Sequence, residues 1–136
     1  VKDNADSGQF QAIQKAAVAA LRNQAEITPK INAKYERRLA ALTETLKGLG
    51  FDAEMPKGSF YMYVEIPKGI KGGRTFESGE DFSQWLIAEK LISTVPWDDA
   101  GNFVRFSATF VAPGLDEEKR VLDEAARRLG DVEFVF

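Results

Sequence analysis

The stretch Asn102-Phe103-Val104-Arg105-Phe106-Ser107 places a guanidinium inside a strand-like alternation of mostly apolar residues. Strand side chains alternate faces, so Arg105 shares one side with Phe103, Ser107 and Thr109, while Val104, Phe106, Ala108 and Phe110 share the other. A guanidinium on so stiff a support is suited to gripping a carboxylate through two parallel N–H bonds. The same pattern also fits a solvated strand arginine, and spacing alone leaves both readings open.

Other chemistry is sparse. The 136 residues include no Cys and no His, which excludes disulfides, Cys/His zinc sites, thiol nucleophiles and Ser-His or Cys-His triads. Asp, Glu, Lys and Tyr remain for acid–base work, and none of them clusters in sequence as a catalytic group. Asp98 and Asp99 are adjacent loop carboxylates without further ligands at suitable spacing, so no metal site is expected. Trp97 beside them either lines a pocket near Arg105 or caps a sheet edge. Gly72-Gly73-Arg74 lacks the spacing and the preceding strand of a phosphate cradle. A net charge of -3 without a basic tract argues against a nucleic-acid partner. No apolar run approaches a membrane span and no signal peptide opens the chain, so no membrane partner is expected and the cytoplasm is the expected location. The first residue is Val1 and the methionines are Met55 and Met62, which suggests a piece of a longer protein, with initiator removal as the alternative. The length suits one domain that buries about two-thirds of its unfolded surface.

The elements that must position Arg105 read as α/β, helices first. Phe10, Ile13, Ala17 and Leu21 recur at helical spacing from about Ser7 to Arg22. Thr28-Pro29 offers a cap and first-turn proline for a second long helix, with Ile31, Tyr35, Leu39, Leu42, Leu46 and Leu49 as its apolar stripe. Lys34, Glu36, Arg37, Arg38 and Glu44 form its expected wet face. Strands are expected at Phe51–Met55 and Ser59–Ile66, the latter with Tyr61 and Tyr63 on its outward side. A flexible connection is expected over residues 67–79. Ser78 and Asp81 then start a third helix bearing Phe82, Trp85, Leu86 and Leu91. Ile92–Val95 and Phe103–Phe110 are the remaining strands. A last helix runs from about Asp116 to Leu129, with Val121, Leu122, Ala125, Ala126 and Leu129 inward and charges that match its dipole. The expected fold is an α+β small domain: a curved, mostly antiparallel sheet with helices packed on one side, preceded by two long helices.

This order of elements, with its local sequences, resembles the C-terminal part of class I/II aminotransferases, the pyridoxal-phosphate enzymes of fold type I. Tyr35-Glu36-Arg37-Arg38 is similar to the family's YxxRR signature on the helix that bridges its domains. Pro56-Lys57-Gly58-Ser59-Phe60-Tyr61-Met62-Tyr63 is similar to its PxGxFYxW turn and strand. The segment from Phe82 to Pro96 resembles its "F…LL…gV…P" helix and strand. Val104-Arg105-Phe106-Ser107 is similar to the vRxS element whose arginine binds the substrate α-carboxylate. The start, Lys2 to Phe10, resembles the LL-diaminopimelate aminotransferase branch.

The resemblance implies a substrate-binding role for Arg105 in moving an amino group between an amino acid and a 2-oxo acid. It implies that residues 1–26 belong with a missing large domain and 27–136 form the small domain with its inter-domain helix. Val1 to Gly8 would be the segment that follows the cofactor lysine and reaches the partner subunit of a homodimer. Lys2, Asn4 and Ser7 become second-rank candidate active-site contacts there, with ordinary turn and N-cap roles the favoured reading of Asn4 and Ser7. Pyridoxal 5'-phosphate is the implied cofactor of the parent. Nothing here matches the SxxK motif that carries it, so the chain alone is expected to hold none, to have no catalytic residue of its own and to be inactive. The other reading is a free-standing α/β ligand-binding or regulatory module that grips an acidic metabolite through Arg105.

Overall fold

The structure, a computed structural model, describes Gly8 and residues 10–136. Lys2, Asn4 and Ser7 lie outside the described residues. Two compact units divide the chain, one ending at Lys34 and the other being Tyr35–Phe136.

The first unit holds α1 (Gln11–Arg22) and the beginning of α2 (Gln24–Gly48). Asn23 ends α1 by donating its side-chain amide to the Ala19 carbonyl, 2.8 Å away. Its own carbonyl accepts from the Glu26 and Ile27 N–H groups, so α2 starts upstream of the expected Thr28-Pro29 cap. Pro29 therefore lies within the helix, where it leaves the Ala25 carbonyl without its helical donor.

The second unit is built around two antiparallel sheets. In the larger, β1 (Tyr61–Glu65), β4 (Phe103–Ser107) and β3 (Val95–Pro96) lie in the order β1-β4-β3. Alternation sends Met62, Val64, Val104 and Phe106 into one buried cluster with Leu39, Leu42 and Leu46 of α2, and with Leu122 and Leu129 of α4 (Leu115–Leu129). The opposite face carries Tyr61, Tyr63 and Arg105. The smaller sheet pairs β2 (Gly69–Ile70) with β5 (Phe134–Val135), which corrects the expectation of a flexible connection over 67–79. Gly69 is required there, because a Cβ would stand 2.6 Å from the Arg74 carbonyl oxygen.

Helix α3 (Gly79–Trp85) starts as the sequence suggests, with the Asp81 N–H donating to Ser78 Oγ at 3.1 Å. It continues as a π-helical turn, Leu86–Lys90, which ends at Leu91 with φ +54°. Residues 51–55 form no strand. Phe51 and Ala53 do point inward, but an extended segment without a pairing edge packs by its side chains. Phe51 stacks edge-on against Phe106, Phe134 and Phe136. Val121, expected inward, is partly exposed at the rim of a cavity of about 650 Å3 lined also by Leu42, Leu46, Phe106 and Phe110.

The largest departure from the sequence reading concerns Arg38, expected on the wet face of α2. It is 2% exposed. Its Nε donates to Glu118 of α4 at 2.8 Å, Nη1 to the Ala108 and Phe110 carbonyls, and Nη2 to that of Ala112. Arg37 meets the same carboxylate with a two-pronged grip at 2.8 and 3.0 Å. These bonds also explain why β4 stops at Ser107 rather than Phe110: beyond it the backbone acceptors are taken by a guanidinium instead of a strand.

The Arg37 hydrogen bonds, with those of Arg38, hold the Glu118 carboxyl at about 2 rather than its ordinary 4.5, against the upward push of burial. The folded chain therefore binds fewer protons at Glu118 than the unfolded chain. The stability this contributes is complete above the ordinary carboxylate value and is lost as pH falls from 4.5 towards 2. Glu118→Ala should destabilise the chain by about 3–5 kcal/mol, since it strands a buried guanidinium. Denaturant titrations across that pH window should show a shallower acid loss in the variant. A residual slope should remain from Glu124, which Arg127 and Arg128 also hold at about 2.

Candidate functional site

Arg105 lies midway along β4, opposite Tyr63 of β1 and Val95 of β3. Its neighbours supply rings rather than acceptors. The guanidinium carbon sits 4.1 Å from the centroid of Tyr61 and 5.3 Å from that of Trp97. Trp97 in turn meets Tyr63 edge-on at 5.7 Å. Among the described residues, Arg105 has no hydrogen-bond or ion-pair partner, and its Nε is buried without one. Buried polar groups are nearly always satisfied, so a half-buried guanidinium held only by rings is a cation ready for an anion.

The supports of this arrangement are local. The Trp97 N–H donates to the Phe103 carbonyl at 2.9 Å, extending the β3–β4 pairing by one residue. The next residue, Asp98, accepts from the Gly79 and Glu80 N–H groups at the start of α3. That close approach needs a glycine, since a Cβ on Gly79 would stand 2.3 Å from the Phe103 carbonyl oxygen. The Ser83 hydroxyl donates to the Thr94 carbonyl at 3.1 Å and fixes the entry to β3. Asp98 is thus a helix cap. Among the described residues, no group of acidic side chains could hold a metal ion.

The sequence singled out Arg105 as a carboxylate-binding candidate, and the structure places it on the sheet face opposite the core. It left Trp97 between two roles and set Tyr61 and Tyr63 aside as the sheet's outer side. They are on that side, and Tyr61 and Trp97 are the rings that hold the guanidinium. The signal available was the period-2 spacing of Tyr61 and Tyr63 on a strand; the pairing register that brings them to Arg105 was not in the sequence. The cavity beneath α2 and α4 does not include Arg105 among its lining residues.

The lysines do not suit imine formation with pyridoxal phosphate. Among the described residues, Lys90 is the buried one, and its ammonium is bonded to Asp131 and lies 5.2 Å from the Trp85 ring. The others are exposed, whereas an imine-forming lysine needs a desolvating or cationic setting. Among the described residues, no lysine therefore has the setting needed to carry the cofactor as an imine.

No family model matches the chain. It is 57% identical over its whole length to LL-diaminopimelate aminotransferase of Methanococcus maripaludis and 50% identical to that of Methanocaldococcus jannaschii, covering 34% of each. The chain thus spans about a third of the length of these relatives. In fold it matches the substrate-bound BacF structure from Bacillus subtilis with a TM-score of 0.76 at 27% identity, over 98% of this chain and 32% of that one. An aminotransferase from Staphylococcus aureus matches with a TM-score of 0.73 at 28% identity, over 94% of this chain and 31% of the other. In sequence and in fold the chain matches aminotransferases, over a part that makes up about a third of each.

Proposed function

We propose that the chain is the small domain of an enzyme that moves an amino group between an amino acid and a 2-oxo acid, with Arg105 binding the substrate α-carboxylate. The observation that carries this reading is the Arg105 guanidinium, stacked on Tyr61 and Trp97 and left without an acceptor among the described residues. A two-point grip orients the amino acid, and orientation is a large part of what such a reaction needs from the protein. Pyridoxal phosphate, which would accept the amino group, is held by residues outside this chain. LL-diaminopimelate, named in the relatives, is the substrate lead, and the whole enzyme works as a homodimer in the cytoplasm. Among the described residues, no helix is long and apolar enough to cross a membrane.

Residues 1–26 are assigned to the large domain and 27–136 to the small domain with its inter-domain helix. The support is α1, in which no residue is buried: Ile13 and Leu21 within it and Phe10 just before it are 63%, 71% and 73% exposed. Apolar faces of this kind on a soluble body recruit a cover. Lys2, Asn4 and Ser7 remain candidate contacts to the partner subunit's site. The length match to about a third of the relatives favours this reading over a free-standing metabolite-binding module.

Arg105→Lys in the full-length enzyme keeps the charge and loses the fork. Truncating a buried charge-assisted pair costs about 2–5 kcal/mol, so kcat/KM for amino acids should fall on the order of a hundredfold or more. An amine lacking the carboxylate should lose far less, and the thermal midpoint should hardly move. Equal losses on both substrates would assign Arg105 to the fold. For the isolated chain, sedimentation should show concentration-dependent self-association that Leu21→Asp abolishes. A monomer at every concentration would contradict the proposed cover for α1.

A further inference from the structure

We propose that Trp97 and Tyr61 are positioning residues for the carboxylate clamp, fixing the plane of the Arg105 guanidinium before a ligand arrives. This rests on the reading of Arg105 as the carboxylate site and adds to it the device that sets the fork's geometry.

An arginine side chain carries several rotatable bonds, and holding it in one arrangement costs entropy that a ligand must otherwise meet on binding. Hydrogen bonds to a carboxylate would fix it, but they would also occupy the donors the substrate needs. Rings avoid that conflict, because a π-face attracts the cation without accepting its in-plane N–H groups. The structure has this arrangement. Tyr61 reaches Arg105 from β1 on one side of β4, and Trp97 reaches it from the end of β3 on the other, at 4.1 and 5.3 Å. Trp97 is itself held by its backbone bond to Phe103, by the cap that Asp98 places on α3 and by its edge-on contact with Tyr63. The Nε of Arg105 is covered. The terminal Nη pair is therefore the edge left for a flat, two-oxygen acceptor, and the grip is end-on. Phe103, Val95 and Glu65 share this face and leave the guanidinium without an ion pair among the described residues.

Trp97 lies in a loop, is 39% exposed and contributes little to the core, so its replacement should leave the fold intact. The test compares wild type, Trp97→Phe, Trp97→Leu and Arg105→Lys in the full-length enzyme, with propionate as a competitive inhibitor against the amino acid. Trp97→Leu keeps apolar bulk and removes the π-face, and it should raise the propionate Ki by about 3- to 30-fold. Trp97→Phe should stay within about threefold of wild type by the same reasoning. The thermal midpoint should be unchanged in both. If Arg105→Lys leaves the propionate Ki unchanged, the clamp itself is wrong and the positioning role falls with it. If Arg105→Lys weakens propionate but Trp97→Leu does not, the clamp stands and the positioning role is overturned. Equal weakening in the Phe and Leu variants would also overturn it, because bulk rather than the π-face would then be responsible.

Discussion

The buried Arg38–Glu118 pair is the constraint on which the arrangement of the second unit depends. It ties α2 to α4 through the carboxylate and ties both to the chain leaving β4 through the carbonyls of Ala108, Phe110 and Ala112. A buried ion pair is not by itself a source of stability, because desolvating two charges offsets much of their attraction. Its consequence here is geometric. Three segments distant in sequence can satisfy one guanidinium in only one mutual placement, and the segment that directly follows β4, the strand of Arg105, is one of them. The ring of Phe110, 4.4 Å beneath the same guanidinium, closes the remaining face.

The two buried or half-buried arginines of this unit follow opposite logics. Arg38 is saturated: carboxylate, carbonyls and an aromatic face leave it nothing to offer a ligand. Arg105 is held only by rings and keeps its donors. What separates the structural arginine from the proposed ligand-binding one is this accounting of acceptors rather than burial, since the more buried of the two is the structural one. The face of the sheet away from the core can host such a cation because Tyr61, Tyr63 and Trp97 give it amphipathic rather than fully apolar surroundings.

Much of this was legible in the residues. The period-2 alternation placed Val104 and Phe106 in the core and Arg105 opposite them, and the Ser78 cap and the dipole-matched charges of α4 fixed two helix starts. Arg38 was misread because helical spacing assigned a charged residue to solvent, while its partner Glu118 lies 80 positions away. The smaller sheet was missed for a similar reason: Gly69–Ile70 is a strand only because Phe134–Val135 arrives beside it from the far end of the chain. Residues 51–55 had the alternation of a strand but no edge to pair with. The start of α2 was displaced because the Asn23 carbonyl already accepts from the Glu26 and Ile27 N–H groups, ahead of the more conspicuous Thr28-Pro29. For Arg38 and the smaller sheet the decisive partner was remote, whereas the start of α2 was decided locally.

The central claim is that the acceptor-free guanidinium of Arg105 is completed by a substrate carboxylate. A crystal structure of the full-length enzyme with its amino acid or 2-oxo acid bound tests this most directly. Both carboxylate oxygens should stand about 2.7–2.9 Å from the two Nη atoms, with Tyr61 and Trp97 still against the guanidinium. A substrate carboxylate bound elsewhere, with Arg105 facing only rings and solvent, would contradict it.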